Sequence, residues 1–465
     1  MPLSTLACVS APEDKEDERH MQNWLRRLRD LKRYPALLAG ILIIAIFIGA
    51  SIYTIIAIPY GEAVTLWRAG VGVWEETPQN ASPVWFDVFT RDRMSRTIVI
   101  NSANGGAKTE EALGQGMKRL EITLPFRYDY DRFPTDLRMF FDTTATGTSI
   151  PTDISWHTPD GRTFILKDDL PVRKASVYYI TQDADLRTQL SGLLPHVGLF
   201  AELQDTGRPL KGDHELVLTA ELPEDVGLDA KLVVYGQVYG VAGTDHRGRD
   251  LMIALLWGAP VGLMFGVIAA VGTTVLTFLL AATGTWMGGK VDRIFQWLTQ
   301  VNLIIPLLPI LVMIGYFYTR SIWAMLGLVI ALNIFGATML LYRSMFLQAK
   351  EAPFIEAAQA YGAGNARIIF RYLMPRIAPT LLPEFVLIIP TFVFLEATLA
   401  VLGLGDPVIP TWGKIMNDAV SQSALYKGYY YWLIEPALLL MLMGIGFSLI
   451  GYSLDRIFNP RLRTV

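Results

Sequence analysis

Six long apolar runs divide this sequence, and they limit its possible folds more than any other feature. The runs cover residues 36–58, 251–283, 294–318, 322–341, 377–402 and 431–454. A helix needs about 20 apolar residues to cross the ~30 Å hydrocarbon core of a bilayer. Charged residues make up only 18% of the chain, whereas soluble domains average about 25%. The pattern predicts an all-α polytopic membrane domain of six transmembrane helices and argues against a disordered chain or an ordinary soluble enzyme.

The charges that flank the runs predict their orientation. Arg26, Arg27, Arg29, Lys32 and Arg33 precede the first run, and basic flanks tend to stay in the cytoplasm. Residues 1–35 are therefore expected to be a cytoplasmic tail, 36–58 an uncleaved first transmembrane helix, and 457–465 a second cytoplasmic tail. A cleaved signal peptide is the alternative, but its apolar region is shorter and nearer the start. The other predicted inner segments carry Lys290, Arg293, Arg343, Lys350, Arg367, Arg371, Arg376, Arg456, Arg461 and Arg463.

Residues 59–245 separate the first two runs and differ from them in composition. Residues 61–245 hold 27 acidic and 18 basic side chains, a net of −9, while the rest holds 16 and 22, a net of +6. Apolar and polar residues alternate at 120–124 and 216–220, and residues 231–239 are rich in Val and Tyr. Pro159-Asp160-Gly161 predicts a turn between strands at 154–157 and 162–166. With only 183–194 helical in pattern, we expect an extracytoplasmic, mainly-β insert, either a sandwich or a small barrel.

No pattern for a metal site or a disulfide is present. Cys8 is the only cysteine, and one thiol supports neither a disulfide framework nor a cysteine metal site. His157, His196, His214 and His246 are scattered without ligand spacing.

Several predicted spans contain helix-breaking residues, among them Pro306, Pro309, Pro383 and Pro390. Close helix packing and bending during transport are both open explanations.

The loop at 350–375 has readable local chemistry. Pro353 suits the first turn of a helix, and Phe354, Ile355, Ala358 and Tyr361 follow at helical spacing. Gly362 can adopt the left-handed conformation that ends a helix. Asn365 is then a candidate N-cap for a second helix at 366–374, stopped by Pro375.

Two interpretations of the first helix remain open from composition. Ala357, Ala358 and Ala360 make it thin, and Glu356 adds an orienting charge. A thin helix can enter a groove on another protein. It can also lie flat on a lipid surface as an interfacial helix.

Four motifs resemble those of one transporter family. Glu356-Ala357-Ala358, Gly362 and Leu373-Met374-Pro375 resemble the EAA loop of ABC importer permeases, which usually closes with Leu-Pro. The stretch from Gly243 to Asp250, GTDHRGRD, is similar to the GTDxxGRD signature of the dipeptide and oligopeptide permeases (DppC/OppC-like). Residues 396–405 and 410–413 resemble that subfamily's EAxLSFLGLG and PSWG segments, with Ala400 and Val401 in place of Ser-Phe. Residues 459–463, NPRLR, resemble its ending. The likeness covers 36–58 and 243–465 but not the insert, which is far longer than the usual outer linker.

The resemblance implies a fold, partners and site residues. It implies a type I ABC importer permease fold with a permease core at 246–456, in the inner membrane of a prokaryote. It implies a second homologous permease, two ABC ATPase subunits and an extracytoplasmic solute-binding protein, in addition to the lipid bilayer. Such a chain is a transporter subunit and not an enzyme. It binds no cofactor of its own, because ATP and Mg reside on the ATPases, and no nucleic-acid partner is expected. The solute class implied is peptides, with nickel or sugars in some members.

Two groups of residues acquire candidate roles from the motifs. The expected ATPase-coupling residues are Glu356, Ala357, Ala358, Tyr361, Gly362, Arg367 and Pro375. The expected gate or partner-permease contacts are Asp245, Arg249, Asp250, Glu396 and Trp412. Asp250 and Arg249 are alternatively predicted to cap the start of the second span. The insert is expected to seat the binding protein or to cover the outer gate.

Other patterns support competing hypotheses. Residues 284–290, GTWMGGK, nearly fit the phosphate-cradling GxxxxGK loop, but Val291 stands where Ser or Thr must hold magnesium. Glu384, Glu396 and Glu435 lie in or at the ends of predicted spans, where carboxylates are functional candidates. A proton-coupled carrier using Glu384 or Glu435 is one alternative function, and a membrane-anchored sensor with a ligand-binding outer domain is another. Residues 429–432 are predicted to be an interfacial aromatic belt.

Overall fold

A computed structural model describes residues 34–68, 71–103, 106–145 and 148–458. The predicted N-terminal tail up to residue 33, with Cys8 and its basic cluster, and the C-terminal motif from residue 459 lie outside the described residues. The α-helices are α1 (Pro35–Ala57), α2 (Tyr60–Arg68), α3 (Ala184–Gln189), α4 (Pro195–Gly198), α5 (Leu251–Met287), α6 (Gly289–Ile304), α7 (Leu307–Phe317), α8 (Ile322–Asn333), α9 (Ala337–Lys350), α10 (Pro353–Ala360), α11 (Asn365–Leu404), α12 (Trp412–Ser421) and α13 (Tyr431–Phe458).

The strands lie between α2 and α5. They are β1 (Ile98–Asn101), β2 (Ala107–Gly114), β3 (Met117–Tyr128), β4 (Asp136–Thr143), β5 (Ile150–His157), β6 (Thr163–Val172), β7 (Ser176–Tyr179), β8 (Gly212–Pro223) and β9 (Leu228–Tyr235). Short 3₁₀-helices occur at Val71–Val73, Val84–Phe89 and Ile180–Gln182.

The chain divides into two compact units. The membrane unit comprises the described residues of Met1–Tyr60, Leu255–Asp418 and Pro436–Val465. The β-rich unit comprises the described residues of Gly61–Ala254 together with Ala419–Glu435. The second segment of the β-rich unit was not expected, because the sequence placed residues 419–435 in the permease core.

Apolar helices dominate the membrane unit. In the described residues, α1, α5, α11 and α13 are each long and apolar enough to cross a bilayer. Two further candidate spans are broken pairs: α6 and α7 meet at a bend of 78°, and α8 and α9 at a bend of 45°. Up to six spans are therefore present if each bent pair counts as one span.

The apolar runs at 294–318 and 322–341 fall on these two bent pairs. Pro306 lies at the first break and has no amide hydrogen to continue the helical ladder. At the second break, the Ile334 carbonyl accepts a hydrogen bond from Thr277 Oγ1 at 2.9 Å, and the Phe335 carbonyl accepts one from Asn302 Nδ2 at 3.2 Å. Side-chain donors from neighbouring helices therefore satisfy the carbonyls that the break releases, as a bilayer requires.

Glycines allow α1 and α13 to approach closely. A Cβ atom on Gly40 would lie 2.7 Å from the Gly446 carbonyl oxygen and 2.9 Å from Ile450 Cγ1. Such contacts are closer than real Cβ atoms show, so this packing needs a hydrogen in place of a side chain. Close packing of small residues, the first of the two explanations for helix-breaking residues, accounts for this pair.

The β-rich unit contains two antiparallel sheets. One has the strand order β1-β9-β4-β7 and the other β2-β3-β8-β5-β6. Both contribute to one hydrophobic core, in which Met139 and Leu232 of the first sheet join Trp156 and Leu218 of the second. The sheets therefore pack face to face as a sandwich, which decides between the two predicted β architectures.

Most of the strand signals were correct. The alternating segment at 120–124 lies in β3 and pairs with β8, where Leu120 opposes Ala220 and Leu124 opposes Leu216. The Pro-Asp-Gly stretch forms the turn of the β5–β6 hairpin, with the Gly161 amide donating to the Thr158 carbonyl at 3.0 Å. The segment at 231–239 stops being a strand after Tyr235.

The helical prediction for 183–194 was too long, and other helices were missed. Asp183 caps α3 by accepting from the amides of Asp185 and Leu186, but the helix ends at Gln189. Ser191 and Gly192 both have positive φ there, which a continuing helix does not allow. Pro195 starts the separate turn α4.

His214 lies within the sandwich core. Its ring is fully buried, stacks on Phe126 at 5.5 Å, and contacts Phe200 and Trp156. Nε2 faces the Leu210 carbonyl at 3.1 Å, so Nε2 carries the proton in the neutral ring, while Nδ1 is buried without a hydrogen-bond partner in the described residues. Burial lowers the pKa of His214 below its ordinary value, because a charged ring cannot be solvated there.

We predict that acid destabilises the β-rich unit through His214. Below about pH 6.5 the unfolded chain binds a proton at His214 that the buried ring of the folded chain does not bind. The free energy of unfolding is therefore highest above that pH and falls below it, by up to about 1.4 kcal/mol per pH unit. His214→Phe should reduce the loss in thermal stability of the detergent-solubilised chain between pH 7.5 and pH 5.5. The control His157→Phe replaces a ring bonded to Ser155 and Thr163. An equal pH dependence in wild type and His214→Phe would contradict the prediction.

Candidate functional site

The loop with the EAA motif forms a short helix that is anchored on one face. In α10, Ile355 and Ala358 are buried, and Ile355 joins a core with Phe278 of α5 and Phe346 of α9. The two anchors are three residues apart, so they lie on one side of the helix. The opposite side carries the exposed residues of the helix.

The turn after α10 has complete hydrogen bonding. Tyr361 is the C-cap, and Gly362 follows with φ of +78°. The Gly362 amide donates to the Gln359 carbonyl and the Ala363 amide to the Ala358 carbonyl, both at 2.9 Å. These two bonds define a Schellman motif, so the prediction that Gly362 ends the helix in the left-handed conformation is confirmed.

The second helix of the loop differs from its prediction. Pro375 does not stop it, since α11 continues through this residue to Leu404. Residues Ile368–Leu373 form a π-helical turn directly before Pro375, and a widened turn can accommodate a residue that lacks an amide hydrogen. Asn365 is not the N-cap either. Gly364 takes that position without a side-chain bond.

Trp286 at the end of α5 is bonded to both flanks of α10. Its indole nitrogen donates to Asn365 Oδ1 at 3.1 Å, which occupies the side chain expected to cap α11. Lys350 Nζ lies 5.6 Å from the centroid of the Trp286 ring and donates to the Thr285 and Trp286 carbonyls. These contacts fix the residues before and after α10 to one helix end. Trp286 was not among the predicted site residues, because it lies inside the rejected GxxxxGK stretch.

That stretch ends a helix in the structure. Residues up to Met287 belong to α5, and Gly288 and Gly289 turn the chain into α6 with φ of +62° and +56°. A phosphate-cradling loop would instead follow a buried strand.

The predicted coupling residues fall into two groups by burial. Ala358 is an anchor of the helix, whereas Glu356, Ala357, Gly362, Arg367 and Pro375 are exposed. Tyr361 is 92% exposed, and Phe354 in the first turn of α10 is 39% exposed. Glu356, Ala357 and Tyr361 thus lie on the outer side of α10 or at its end, whereas Arg367 and Pro375 lie on α11.

Asp245 and Arg249 of the predicted gate group lie in the β-rich unit and bind each other. Asp245 Oδ2 accepts from Arg249 Nε at 2.5 Å, while Oδ1 accepts from the amides of Arg247 and Arg249. Arg249 also lies over the Trp67 ring at 3.9 Å and donates to the Trp67 carbonyl. Both charged side chains are at most 5% exposed. Removing one partner of a buried ion pair strongly destabilises a fold. The Asp245–Arg249 pair therefore stabilises the conformation of this loop within the β-rich unit.

Asp250 confirms the capping alternative. Its Oδ1 accepts a hydrogen bond from the Met252 amide at 2.8 Å, in the first turn of α5. Burial raises the pKa of Asp250, and the bond from the Met252 amide opposes that rise.

The same loop binds the segment that starts α13. The Thr244 carbonyl accepts from Tyr431 Oη and Trp432 Nε1, both at 2.9 Å, and both rings are buried. The predicted aromatic belt is therefore wrong for Tyr431 and Trp432, since a belt residue exposes its ring to lipid. These two bonds explain why residues 419–435 belong to the β-rich unit.

Glu396 and Trp412 lie in the membrane unit and are both buried. Glu396 sits on α11 and shares a side-chain hydrogen bond with Thr411. Trp412 Nε1 donates to the Leu255 carbonyl of α5 at 2.8 Å, and its ring meets Phe47 of α1 edge-on at 5.9 Å. Trp412 therefore joins three helices of this unit.

Gly258 makes room for Trp412, and we predict that Gly258→Ala lowers stability. The added Cβ would lie 2.1 Å from Trp412 Cδ1, and overpacking of this kind costs about 1–3 kcal/mol. Gly262→Ala, one turn along α5, meets nothing closer than 3.5 Å and is the matched control. Fluorescence-detected size exclusion after heating should show a lower melting temperature for Gly258→Ala alone. Equal melting temperatures for the two variants would refute this packing.

Glu384 and Glu435, the remaining acidic candidates, belong to different units. Glu384 is half-buried on α11 in the membrane unit. Glu435 lies at the start of α13 in the β-rich unit, and its Oε2 is buried without a hydrogen-bond partner in the described residues. In the described residues no group of three or more His, Cys, Asp or Glu side chains is arranged to hold a metal ion.

Together these features define an integral membrane protein with a helical membrane unit and a separate mostly-β region. Residues 262–464 match the profile of the family described as binding-protein-dependent transport system inner membrane component. The oligopeptide transport system permease protein OppC of Bacillus subtilis is 28% identical over 225 residues, which cover 48% of this chain and 72% of that protein. The dipeptide transport system permease protein DppC of Lactococcus lactis is 28% identical over 224 residues, or 48% of this chain and 64% of that protein.

A putative peptide permease protein of Brucella suis is 30% identical over 221 residues, 47% of this chain and 72% of that protein. The chain therefore belongs to the family of binding-protein-dependent transport system inner membrane components. The resemblance to dipeptide and oligopeptide permeases is confirmed by these comparisons. The family match starts at residue 262, beyond the strands of the β-rich unit.

Proposed function

We propose that this chain is the transmembrane permease subunit of an ABC importer that translocates di- or oligopeptides. The names of its relatives support the peptide class, since OppC and DppC are oligopeptide and dipeptide permeases. The translocation path would run through the membrane unit. ATP hydrolysis would take place on separate ATPase subunits that hold ATP and Mg.

The exposed side of α10 is the observation that carries the coupling mechanism. A helix that is buried on one side by Ile355 and Ala358 presents Tyr361, Glu356 and Ala357 to a partner. Small side chains allow close approach to a groove, and an exposed aromatic ring supplies contact area. We assign this side of α10 to a groove on an ATPase subunit.

Movement of α10 would reach the bilayer through α11. Only the Schellman turn and a few residues separate the two helices, and α11 then runs from Asn365 to Leu404, with one π-helical turn before Pro375 and a second at its end, where Gly403 has a φ of +84°. A helix rises about 1.5 Å per residue, so α11 reaches across the whole membrane. Displacement of the docked helix would therefore shift Glu396 at the far end of α11. A bundle with two stable arrangements would respond by switching access.

The proposed assembly contains four kinds of partner. A second homologous permease completes the path, two ATPases bind the coupling loops, a solute-binding protein delivers the peptide, and lipid surrounds the bundle. Both termini would be cytoplasmic and the β-rich unit extracytoplasmic. Contacts of Glu396 and Trp412 with the gate or the second permease remain predictions. Asp245 and Arg249 would support such contacts indirectly, by fixing the loop that carries Asp250.

We predict that Gly362→Val uncouples ATP hydrolysis from uptake. Valine strongly disfavours the positive φ at this position, with a cost of roughly 1–2 kcal/mol or more, although no neighbouring atom would clash with its Cβ. The turn between α10 and α11 should therefore distort while the spans still insert. In proteoliposomes holding the complete transporter, peptide uptake per ATP hydrolysed should fall roughly fivefold or more, as a strain of this size implies.

Gly364→Val is the matched control for this experiment. Gly364 lies two residues further on, is equally open, and has an ordinary φ of −71°. It should retain coupling close to that of wild type. Normal coupling in Gly362→Val would count against transmission through this turn.

The proposed contact between α10 and an ATPase subunit can be tested at Tyr361. We predict that Tyr361→Ala reduces the yield of ATPase subunits that copurify with the solubilised chain, because the variant removes an exposed ring without touching the anchors. Tyr426→Ala removes a ring that is 96% exposed in the β-rich unit and should not change the yield. If the wild-type chain purifies without stoichiometric ATPases, the importer proposal itself fails.

A further inference from the structure

An exposed apolar patch on the β-rich unit has no role in the proposed transport. It consists of Trp85, Val88 and Phe89 on the 3₁₀-helix Val84–Phe89, together with Val241. Val88 is 81% exposed, Phe89 80% and Val241 67%, and the larger Trp85 ring is 44% exposed. Soluble surfaces rarely gather several large apolar side chains in one place without a partner. We call these four residues the aromatic patch.

The geometry of the short helix produces the patch. In a 3₁₀-helix, residues three apart lie on the same face, so Trp85 and Val88 point in one direction. The rings of Trp85 and Phe89 lie 6.2 Å apart, edge to face. Asp87, the only charged residue of the helix, is turned to its own unit, where Oδ1 accepts from the Met94 amide at 3.0 Å. The exposed face of the helix is therefore uncharged.

Hydrogen bonds place the patch beside the start of α5. Trp85 Nε1 donates to the Val241 carbonyl and the Val84 amide to the Gly240 carbonyl, both at 2.9 Å. Two residues further on, the Gly243 carbonyl accepts from the amide of Leu251, the first residue of α5, at 3.1 Å.

A ring contact places the patch beside the start of α13 as well. Phe86, within the same 3₁₀-helix, meets the ring of Tyr431 edge-on at 6.3 Å. Tyr431 is the first residue of α13, and the first turns of both α5 and α13 belong to the β-rich unit. Two apolar, membrane-crossing helices thus begin next to the aromatic patch, which marks this level as one surface of the bilayer.

The length of α5 indicates which layer of the membrane lies there. α5 has 37 residues without a charged side chain, so it is about 55 Å long at 1.5 Å per residue. A bilayer measures roughly 40–45 Å with its headgroups. An uncharged helix of this length reaches from one headgroup layer to the other, and tilt can take up the remaining length. We therefore place the first turn of α5 at a headgroup layer, where aromatic side chains concentrate.

We propose that the aromatic patch inserts into the headgroup layer of the phospholipid bilayer and anchors the β-rich unit to the membrane surface. The indole N–H of Trp85 is already bonded to the protein, so the ring can enter lipid without leaving a donor unsatisfied. The patch supplies the interfacial aromatic side chains that Tyr431 and Trp432, which are buried, cannot supply. The inference depends on the membrane helices alone and is independent of the transported solute.

A single fluorescent label tests the anchor. Cys8 is the only cysteine, so Cys8→Ser followed by Val88→Cys gives one labelling position in the full chain. The labelled chain is placed in nanodiscs of phosphatidylethanolamine and phosphatidylglycerol that carry a shallow lipid-attached nitroxide. Because anchored side chains lie about 5–10 Å into the headgroup boundary, we expect the nitroxide to quench the Val88 label at least roughly twofold more than a label on an exposed control residue. Iodide in the aqueous phase should quench the control label more than the Val88 label.

Leu203 provides the matched control, because it is a 75% exposed apolar residue of the same unit without bonds to the span starts. In the Val88→Cys background, Phe89→Asp should reduce lipid quenching, since a charge opposes insertion, and Phe89→Leu should retain it. Equal quenching of the Val88 and Leu203 labels by the nitroxide would overturn the proposal. Protection of the Val88 label from iodide without lipid quenching would also overturn it, because a protein partner would then cover the patch.

Discussion

Backbone groups inside a bilayer have no water to bind, and every interruption of a helix must be compensated by the protein. The membrane unit meets this requirement with few side chains. Thr277 of α5 and Asn302 of α6 bind the two carbonyls freed between α8 and α9. Without these donors the 45° bend would leave two polar groups unsatisfied in apolar surroundings. The bent pairs are thus stable parts of the fold.

In the loop with the EAA motif, one residue likewise holds two segments in place. Trp286 binds Asn365 through its indole nitrogen and Lys350 through its ring and carbonyl. Both are outside α10, so the helix itself needs only the anchors Ile355 and Ala358. The outer side of α10, with Glu356, Ala357 and Tyr361, is exposed in the described part of the chain.

Periodicity and local chemistry predicted much of this structure. Apolar length identified the four long apolar helices and the two bent pairs, alternation identified β3 and β8, and the single glycine at 362 identified the end of α10. Two of the errors arose where a tertiary contact overrode a local residue preference, and a third where the local backbone adapted. Asn365 is a good N-cap by type, but the Trp286 indole takes its oxygen. Pro375 usually ends a helix, but a π-turn before it lets α11 continue. Tyr431 and Trp432 look like interfacial residues, but the Thr244 carbonyl draws both inward. The partners of Asn365, Tyr431 and Trp432 lie far from them in sequence, whereas the π-turn directly precedes Pro375.

The division of the chain has a consequence for how such a protein can be altered. The backbone passes from one unit to the other four times, at 60–61, 254–255, 418–419 and 435–436. A single deletion therefore cannot remove the whole β-rich unit. Any deletion between the first two membrane helices that included Thr244 would remove the common acceptor of Tyr431 and Trp432, which lie 187 and 188 residues further along the chain. A variant that lacks this region therefore also needs changes in residues 419–435.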